Sequence, residues 1–282
     1  MIARVPRLGS GVFEAGVALD SMGTSESLPV VLDSPLEPKA AKLDFAQGCH
    51  VLKNRFLCFG GLVTSGAAVE WARDMPFPET SREEAIGVLN ISRHRAHREA
   101  KVYISYPLCV RRTPPRTMIQ SVAVRLLVVS IDGSPEDMPR SVFECLAYAS
   151  FETLNALKSV FQVDIKQIRA VGGPTKNRLL MEVKAALAKY SLLRRRDPRS
   201  CVPRAAILAG LGIRLYKSPE DIQSSVEYRK KPIEAAVGWG DAYRERFDKV
   251  FRLIYPAVRD LQQQIIALES RTEQNATLSS HD

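Results

Sequence analysis

Apolar residues run in short stretches through the first third of the chain and recur at helical spacing beyond position 135. Ala15 to Leu19 and Leu28 to Leu32 predict two short strands, with Pro35 and Pro38 ending the second, so the pair reads as a hairpin. Val51 to Phe59 predicts a further edge of sheet before Gly60-Gly61. Val63 to Ala72 predicts a helix capped upstream by Thr64 or Ser65. Beyond Pro135, Pro139 sits near a first helical turn. Val142, Phe143, Leu146, Ala147, Phe151, Leu154, Leu157 and Phe161 then form one apolar stripe, which predicts a long core helix. Ile165 to Val171 predicts a strand, and Leu179, Leu180, Val183, Ala186 and Leu187 give the next helix its buried face. Ala205 to Leu211 reads as a helix of small residues. Tyr243, Phe247, Phe251 and Tyr255 recur every four residues, a packing stripe. The order of these signals predicts an α/β fold with a mixed sheet flanked by helices.

Two loops stand out between these elements. Val171-Gly172-Gly173-Pro174-Thr175-Lys176-Asn177 carries a strand end through two glycines into a helix. Such a turn lets a ligand approach the main chain and offers helix N–H groups to an anion. Asp20-Ser21-Met22-Gly23-Thr24-Ser25-Glu26 supplies a second tight loop of small hydrogen-bonding residues suited to a phosphate. Two such loops facing one cleft would form one nucleotide site.

The chain of 282 residues is 45% hydrophobic, ample for a core. The longest apolar runs, such as Val122 to Val129 with Arg125 inside, fall short of the roughly 20 residues of a membrane span. The start, MIARVPRLGS, has no apolar h-region, so a cytoplasmic location is expected. Cys49, Cys58, Cys109, Cys145 and Cys201 are odd in number and scattered, which argues against a disulfide framework. Cys49, His50 and Cys58 lack a second pair at ligand spacing, and His94 and His97 lie among basic neighbours, so no metal site is expected in the chain.

The net charge of +9 is local. Between Arg93 and Arg125 eight basic residues face only Glu99, and between Arg194 and Arg204 five arginines face only Asp197. Both stretches read as solvated or poorly folded, and Pro107, Pro114 and Pro115 interrupt the first, so no continuous basic face is predicted. Neither nucleic acid nor membrane is expected as a partner. Thr80-Ser81-Arg82-Glu83-Glu84 has the residues of a helix N-terminus.

These pieces resemble the C-terminal lobe of the FGGY family of carbohydrate kinases. The matching segments are Gly16 to Glu26, Gly48 to Arg73, Phe143 to Leu157, the Gly172-Gly173 turn, Ala205 to Tyr216 and Tyr243 to Leu261, in the family's order, from about Gly9 to Gln264. The resemblance implies a ribonuclease H-like lobe of the actin and hexokinase superfamily, in which ATP lies in a cleft between two lobes. The implied organisation is residues 1–12 as a truncated start of the lobe, 13–264 as the family domain, disturbed at about 90–130 and 194–204, and 265–282 as a flexible tail. Departures are concentrated in the middle. Arg111-Arg112-Thr113-Pro114-Pro115 and the bulky Arg125 and Val128 stand where the family has glycines, Cys145 replaces the glycine after Glu144, and Arg204-Ala205-Ala206 replaces Gly-Ala-Ala.

By resemblance, Gly23, Thr24 and Ser25 would meet the terminal phosphate, while Gly172, Gly173, Pro174 and Asn177 would hold the adenosine and inner phosphates of ATP with Mg2+. The substrate implied is a sugar or polyol, bound if an N-terminal lobe is supplied. The family's catalytic Asp should fall where this sequence has Met1 and Ile2, and no Asp precedes Asp20, so no catalytic residue is assigned. The implied function is the nucleotide-binding lobe of an ATP-dependent carbohydrate kinase. An inactive remnant or interaction module stays open beside it, as does homo-oligomer formation.

Overall fold

The computed structural model describes residues 11–38, 45–50, 52–74, 105–107, 124–126, 137–188, 190–196 and 226–261, together with positions 207, 209, 210, 212, 213, 215, 216, 221, 222, 264 and 268. The predicted helix start at Thr80 to Glu84, His94, His97 and most of the Arg93 to Arg125 stretch lie outside the described residues. The chain divides into two compact units, 1–240 and 241–282.

The first unit is built on a six-stranded mixed sheet. Its strands are β1 (Val17–Met22), β2 (Glu26–Leu32), β3 (Ala46–Cys49), β4 (Phe56–Leu62), β7 (Gln167–Val171) and β8 (Ser191–Arg194), in the order β3-β4-β2-β1-β7-β8. The β1, β2, β4 and β3 pairings are antiparallel, whereas β7 runs parallel to β1 and β8 parallel to β7. Three antiparallel strands continued by two parallel ones is the mixed sheet expected of a ribonuclease H-like lobe, with β3 added at one edge. β5 (Ser105–Pro107) and β6 (Val124–Leu126) form a separate antiparallel pair.

The helices are α1 (Gly66–Asp74), α2 (Asp137–Phe161), α3 (Arg178–Leu187) and α4 (Trp239–Arg246). The stripe predicted for α2 is largely internal, with Val142, Phe143, Leu146 and Leu157 fully buried. α2 packs against both α1 and α3. Alternation along β1 sends Val17 and Leu19 to one face, into a cluster with Val12, Val31, Leu57 and Val171. Asp20 and Met22 then fall on the opposite face, which carries α2 and α3. The first face continues through Phe13, Ile207, Ile222 and Val226. A buried cation stitches it together. Arg169 of β7 donates to the Gln167 side chain at 2.9 Å and to the Gly11 carbonyl, and lies 5.2 Å from the Tyr228 ring centre. Burial holds its guanidinium below the ordinary value.

Several boundaries differ from the sequence-based ones for physical reasons. The hairpin strands reach the loop itself because Met22 pairs with Glu26. Gly60-Gly61 do not end β4. They continue it, because β2 pairs with β4 up to Glu26 opposite Leu62. The Asn54 turn, at φ 56°, separates β3 from β4, and β3 is a strand the pattern does not announce. Arg194 closes β8, whose register with Ala170 is fixed by its neighbour in the sheet, and Arg195 is buried, so this end of the second basic stretch is built into the fold. Cys58 is buried in β4 and Cys145 in α2, but Cys49 is exposed. In the second unit Phe247–Phe251 winds as a π-helix, whose wider turn stacks the Phe247 and Phe251 rings 5.7 Å apart at 21°. Tyr243, Phe247 and Phe251 are buried as expected, and Ile254 joins them while Tyr255 is half-buried. Among the described residues, no helix is long and apolar enough to cross a membrane.

Candidate functional site

The two glycine turns meet. β1 stops at Met22 and β2 starts at Glu26, leaving Gly23, Thr24 and Ser25 as an exposed loop closed by a 2.8 Å bond from the Gly23 N–H to the Ser25 carbonyl. The outward carbonyls of this loop are taken by the start of α1. The Thr24 carbonyl accepts from the Ser65 N–H at 2.8 Å and the Gly23 carbonyl from the Gly66 N–H at 2.8 Å. Those N–H groups would otherwise lack intrahelical partners, so helix and loop satisfy one another. Parallel pairing of Ser21 with Val171 then brings Gly172 beside Met22. Gly172 has φ 109°, and a β-carbon built on it would fall 1.8 Å from the Met22 carbonyl oxygen. A β-carbon on Gly66 would fall 2.4 Å from the Gly23 oxygen and 3.3 Å from Pro174 Cγ. One close-packed knot thus holds the Gly23 loop, the α1 start and the Gly172 turn.

The sequence predicts a helix directly after the double glycine, but a 3-10 turn, Gly173–Lys176, intervenes. Pro174 has no N–H to give, and Thr175 turns both its N–H, at 3.2 Å, and its hydroxyl, at 2.6 Å, onto the Gly172 carbonyl. Gly173 is exposed, with nothing within 4 Å of where a β-carbon would sit. Asn177 Oδ1 accepts the Leu180 N–H at 3.0 Å and caps α3. Of the seven residues singled out in the sequence, Gly23, Thr24, Ser25 and Gly173 are therefore exposed, with the N–H of Gly23 and the carbonyls of all three loop residues engaged inside the knot, Gly172 and Pro174 pack the knot, and the Asn177 side-chain oxygen is engaged by its own helix.

Beneath the knot lies a charge cluster that sequence reasoning misses. Lys184 Nζ on α3 is 2.7 Å from Asp20 Oδ2 on β1 and 2.8 Å from Glu26 Oε1 on β2, with all three side chains at most 5% exposed. Glu26 also accepts from the Ser65 hydroxyl at 2.9 Å and from the Ser150 hydroxyl. One cation balances only one of two carboxylates. Glu26 has three donors, whereas among the described residues Asp20 takes a hydrogen bond from Lys184 and its buried Oδ1 has no donor. Burial, and then the charge of Glu26, push Asp20 from the usual carboxylate range up to about 7, against the pull of Lys184. Burial alone would lower Lys184, but the two carboxylates carry it above its ordinary value. A sequence signal does exist: Lys184 sits four residues from Leu180 and three from Leu187, inside the apolar stripe of α3.

The exposed loop and open Gly173 fit the approach of a phosphate chain to the main chain. Divalent cations of the Mg2+ type are usually held by one or two carboxylates together with phosphate oxygens. Asp20 and Glu26 are both committed to Lys184, and no group of three metal-binding side chains occurs among the described residues, so the acids flanking the loop do not fit such an ion.

Residues 18–213 match the FGGY family of carbohydrate kinases, C-terminal domain. Among curated relatives, a glycerol kinase of Enterococcus casseliflavus is 25% identical over 224 residues, covering 78% of this chain and 42% of that protein. A glycerol kinase of Borreliella afzelii is 30% identical over 169 residues, 58% of this chain and 32% of the relative. Among solved structures, xylulose kinase from Rhodospirillum rubrum superposes with a TM-score of 0.75 at 17% identity, over 92% of this chain and 50% of its own. Plasmodium falciparum glycerol kinase with ADP does so at 0.69 and 15%, over 90% and 49%. The chain spans half or less of the length of these relatives. The solved structures show the sugar-kinase fold of the actin and hexokinase type.

Three outcomes test this geometry. Gly172→Ala should lower stability by about 3 kcal/mol or more, since both the positive φ and the Met22 contact oppose a side chain, while Gly173→Ala should cost less than about 1 kcal/mol; urea melts of the two variants compare them. Lys184→Met strands two buried carboxylates and should cost roughly 3 to 5 kcal/mol in the same assay. Because Asp20 titrates higher in the folded chain, the fold holds a proton that the unfolded chain has released between about pH 4 and pH 7. Stability should therefore fall as pH rises through that window, by up to about 4 kcal/mol, and level off above it. Asp20→Asn should flatten this slope when urea midpoints are compared at pH 5 and pH 8.

Proposed function

This chain belongs to the FGGY family of carbohydrate kinases through its C-terminal domain, and from that premise we propose that it is the nucleotide-holding lobe of an ATP-dependent sugar or polyol kinase. The observation that carries the proposal is the convergence of the Gly23-Thr24-Ser25 loop and the Gly172-Gly173 turn at one point, with exposed residues at both. Bound ATP supplies the phosphoryl group. Gly23, Thr24 and Ser25 would lie along its terminal phosphate, with the Thr24 hydroxyl as a donor. Gly173, beside the Gly172 bend, lets the adenosine and inner phosphates come against the main chain without a side chain between. The likeness to glycerol kinases and to xylulose kinase supports a polyol or keto-sugar alcohol as acceptor.

Transfer to a hydroxyl also needs a carboxylate that takes its proton. Asp20 and Glu26, the buried acids nearest the loop in sequence, are tied to Lys184 beneath it, so neither serves as that base. We assign the base to none of the described residues and the acceptor's contacts to a second lobe. The role left to the two glycine turns is to bind and orient the nucleotide.

Isothermal titration of the 282-residue chain should show weak ATP binding that Gly173→Arg weakens, with no phosphorylation of glycerol or xylulose. A coupled ADP-release assay reads the second point. Two or three charge-assisted contacts left to a second lobe, each about 1.5 to 3 kcal/mol, would weaken binding by several orders of magnitude when that lobe is not supplied, and want of a positioned base would lower the rate about 100- to 10,000-fold. Turnover of either acceptor by the chain alone would overturn the division of labour between lobes. ATP binding unaffected by Gly173→Arg would overturn the site.

A further inference from the structure

A second charged feature lies beyond the turn, where neither the Gly23 loop nor Gly172 and Gly173 line it. The segment 226–233 runs beside β8, held by bonds from the Arg229 N–H to the Arg194 carbonyl at 2.9 Å, from the Arg196 N–H to the Glu227 carbonyl at 3.1 Å and from the Ile233 N–H to the Leu192 carbonyl at 2.9 Å. Between this segment, β8 and the first turns of α3 opens a cleft of about 1350 Å3. Seven of its fifteen lining residues are Lys or Arg and three are Glu. Two of those acids are already engaged, Glu182 with Arg178 at 2.8 Å and Glu227 with Arg196 at 3.0 Å. Among the described lining residues, Lys176, Arg194, Arg229, Lys230 and Lys231 are left with Glu234 as the remaining acid.

The cations are held in place by the backbone. Arg194 donates to the Thr175 carbonyl at 3.0 Å, which fixes its guanidinium in the cleft lining, and the sheet-like bond from the Arg229 N–H brings a second arginine to the same register. Burial and then the positive charge of Arg229 hold Arg194 below its ordinary value, so the two guanidinium groups repel each other. Met181, Val226 and Ile233 lie among the basic side chains, so part of the cleft wall is apolar and a bound anion there loses less attraction to water. Guanidinium forks paired with flexible ammonium groups are the donor set that suits phosphate oxygens.

We propose that this cleft binds a ligand carrying several phosphate groups in succession, at a site separate from the Gly23 and Gly172 turns. The ligand is a free oligophosphate or the backbone of a single nucleic acid strand, which present the same chemistry to Arg194, Arg229 and Lys231.

The test is isothermal titration of the full chain with sodium tripolyphosphate and, in a second arm, with a thymidine dodecamer, at low and at physiological salt. Binding should weaken about tenfold or more as salt rises from about 50 to about 200 mM, through release of counterions. The triple variant Arg229→Glu, Lys230→Glu, Lys231→Glu should lose it, and so should Lys176→Glu in part. These side chains are exposed, and unchanged thermal melting checks the fold. A control with the same change of net charge, Lys53→Glu, Lys166→Glu, Lys249→Glu, should bind as the parent does, as should Gly173→Arg. The arm that binds identifies the source of the phosphates. No binding in either arm, or equal loss in the control triple, would overturn the proposal; loss in Gly173→Arg would move the ligand to the nucleotide turn and overturn it as a separate site.

Discussion

Lys184 joins three elements that the chain supplies far apart, β1, β2 and α3, and the rest of the first unit is arranged around that junction. Its two carboxylates flank the Gly23 loop, one at each strand end, so the helix that carries Lys184 is bound to both stems of the loop at once. Ser65 and Ser150 extend the same junction to the α1 start and to α2 through Glu26. Buried ion pairs are costly to form, and replacing them by apolar residues is often neutral. In this lobe the arrangement specifies position. A hydrophobic contact would let α3 slide along the sheet, whereas an ammonium held between Asp20 and Glu26 fixes the depth at which the Gly172 turn meets Met22.

That depth matters because the turn leaves no tolerance. Gly172 approaches Met22 more closely than any β-carbon allows, and Gly66 does the same to Gly23. The loop and the turn are therefore not two independent phosphate-binding motifs brought near each other. They are a single packed unit whose shared interior is glycine and carbonyl oxygen and whose outer edge is the backbone of Gly23 to Ser25 and of Gly173. Preorganisation of this kind lowers the cost of ordering a flexible polyphosphate against the chain.

Much of the fold is legible in the sequence because it rests on periodicity. The α2 stripe, the β1–β2 hairpin and the buried face of α3 follow from the spacing of apolar residues, and both glycine turns are visible as short motifs between elements. What escapes is decided across the chain. β3 is short and polar, and exists because β4 offers it an edge. Gly60-Gly61 look like a stop, yet pairing with β2 carries the strand through them. Asn177, singled out because it follows the glycines, is also the cap of α3, a role that its place just before a helical run announces. The Asp20, Glu26 and Lys184 cluster is hidden for another reason: each charge stands alone in its segment, and only the sheet brings Lys184 within 2.8 Å of both acids.

The same limit governs the chain's positive charge. In sequence, Arg194 to Arg196 and Arg229 to Lys231 lie far apart, and neither run is long enough to read as a binding face. In the fold they lie side by side, and register alone decides that Arg194 and Arg229 share one end of the cleft. Like charges held together in this way repel, and a bound anion would relieve that repulsion. The proposed nucleotide turn would work on the opposite principle, through the exposed neutral backbone at Gly173. A triphosphate drawn to the lobe by long-range attraction would feel the arginine-rich cleft first, since charge acts over about a Debye length while backbone N–H groups act only at contact. Tight seating at the Gly173 turn then requires short-range contacts that the cleft does not offer, and a facing lobe is the element that can supply them without altering either feature of this one.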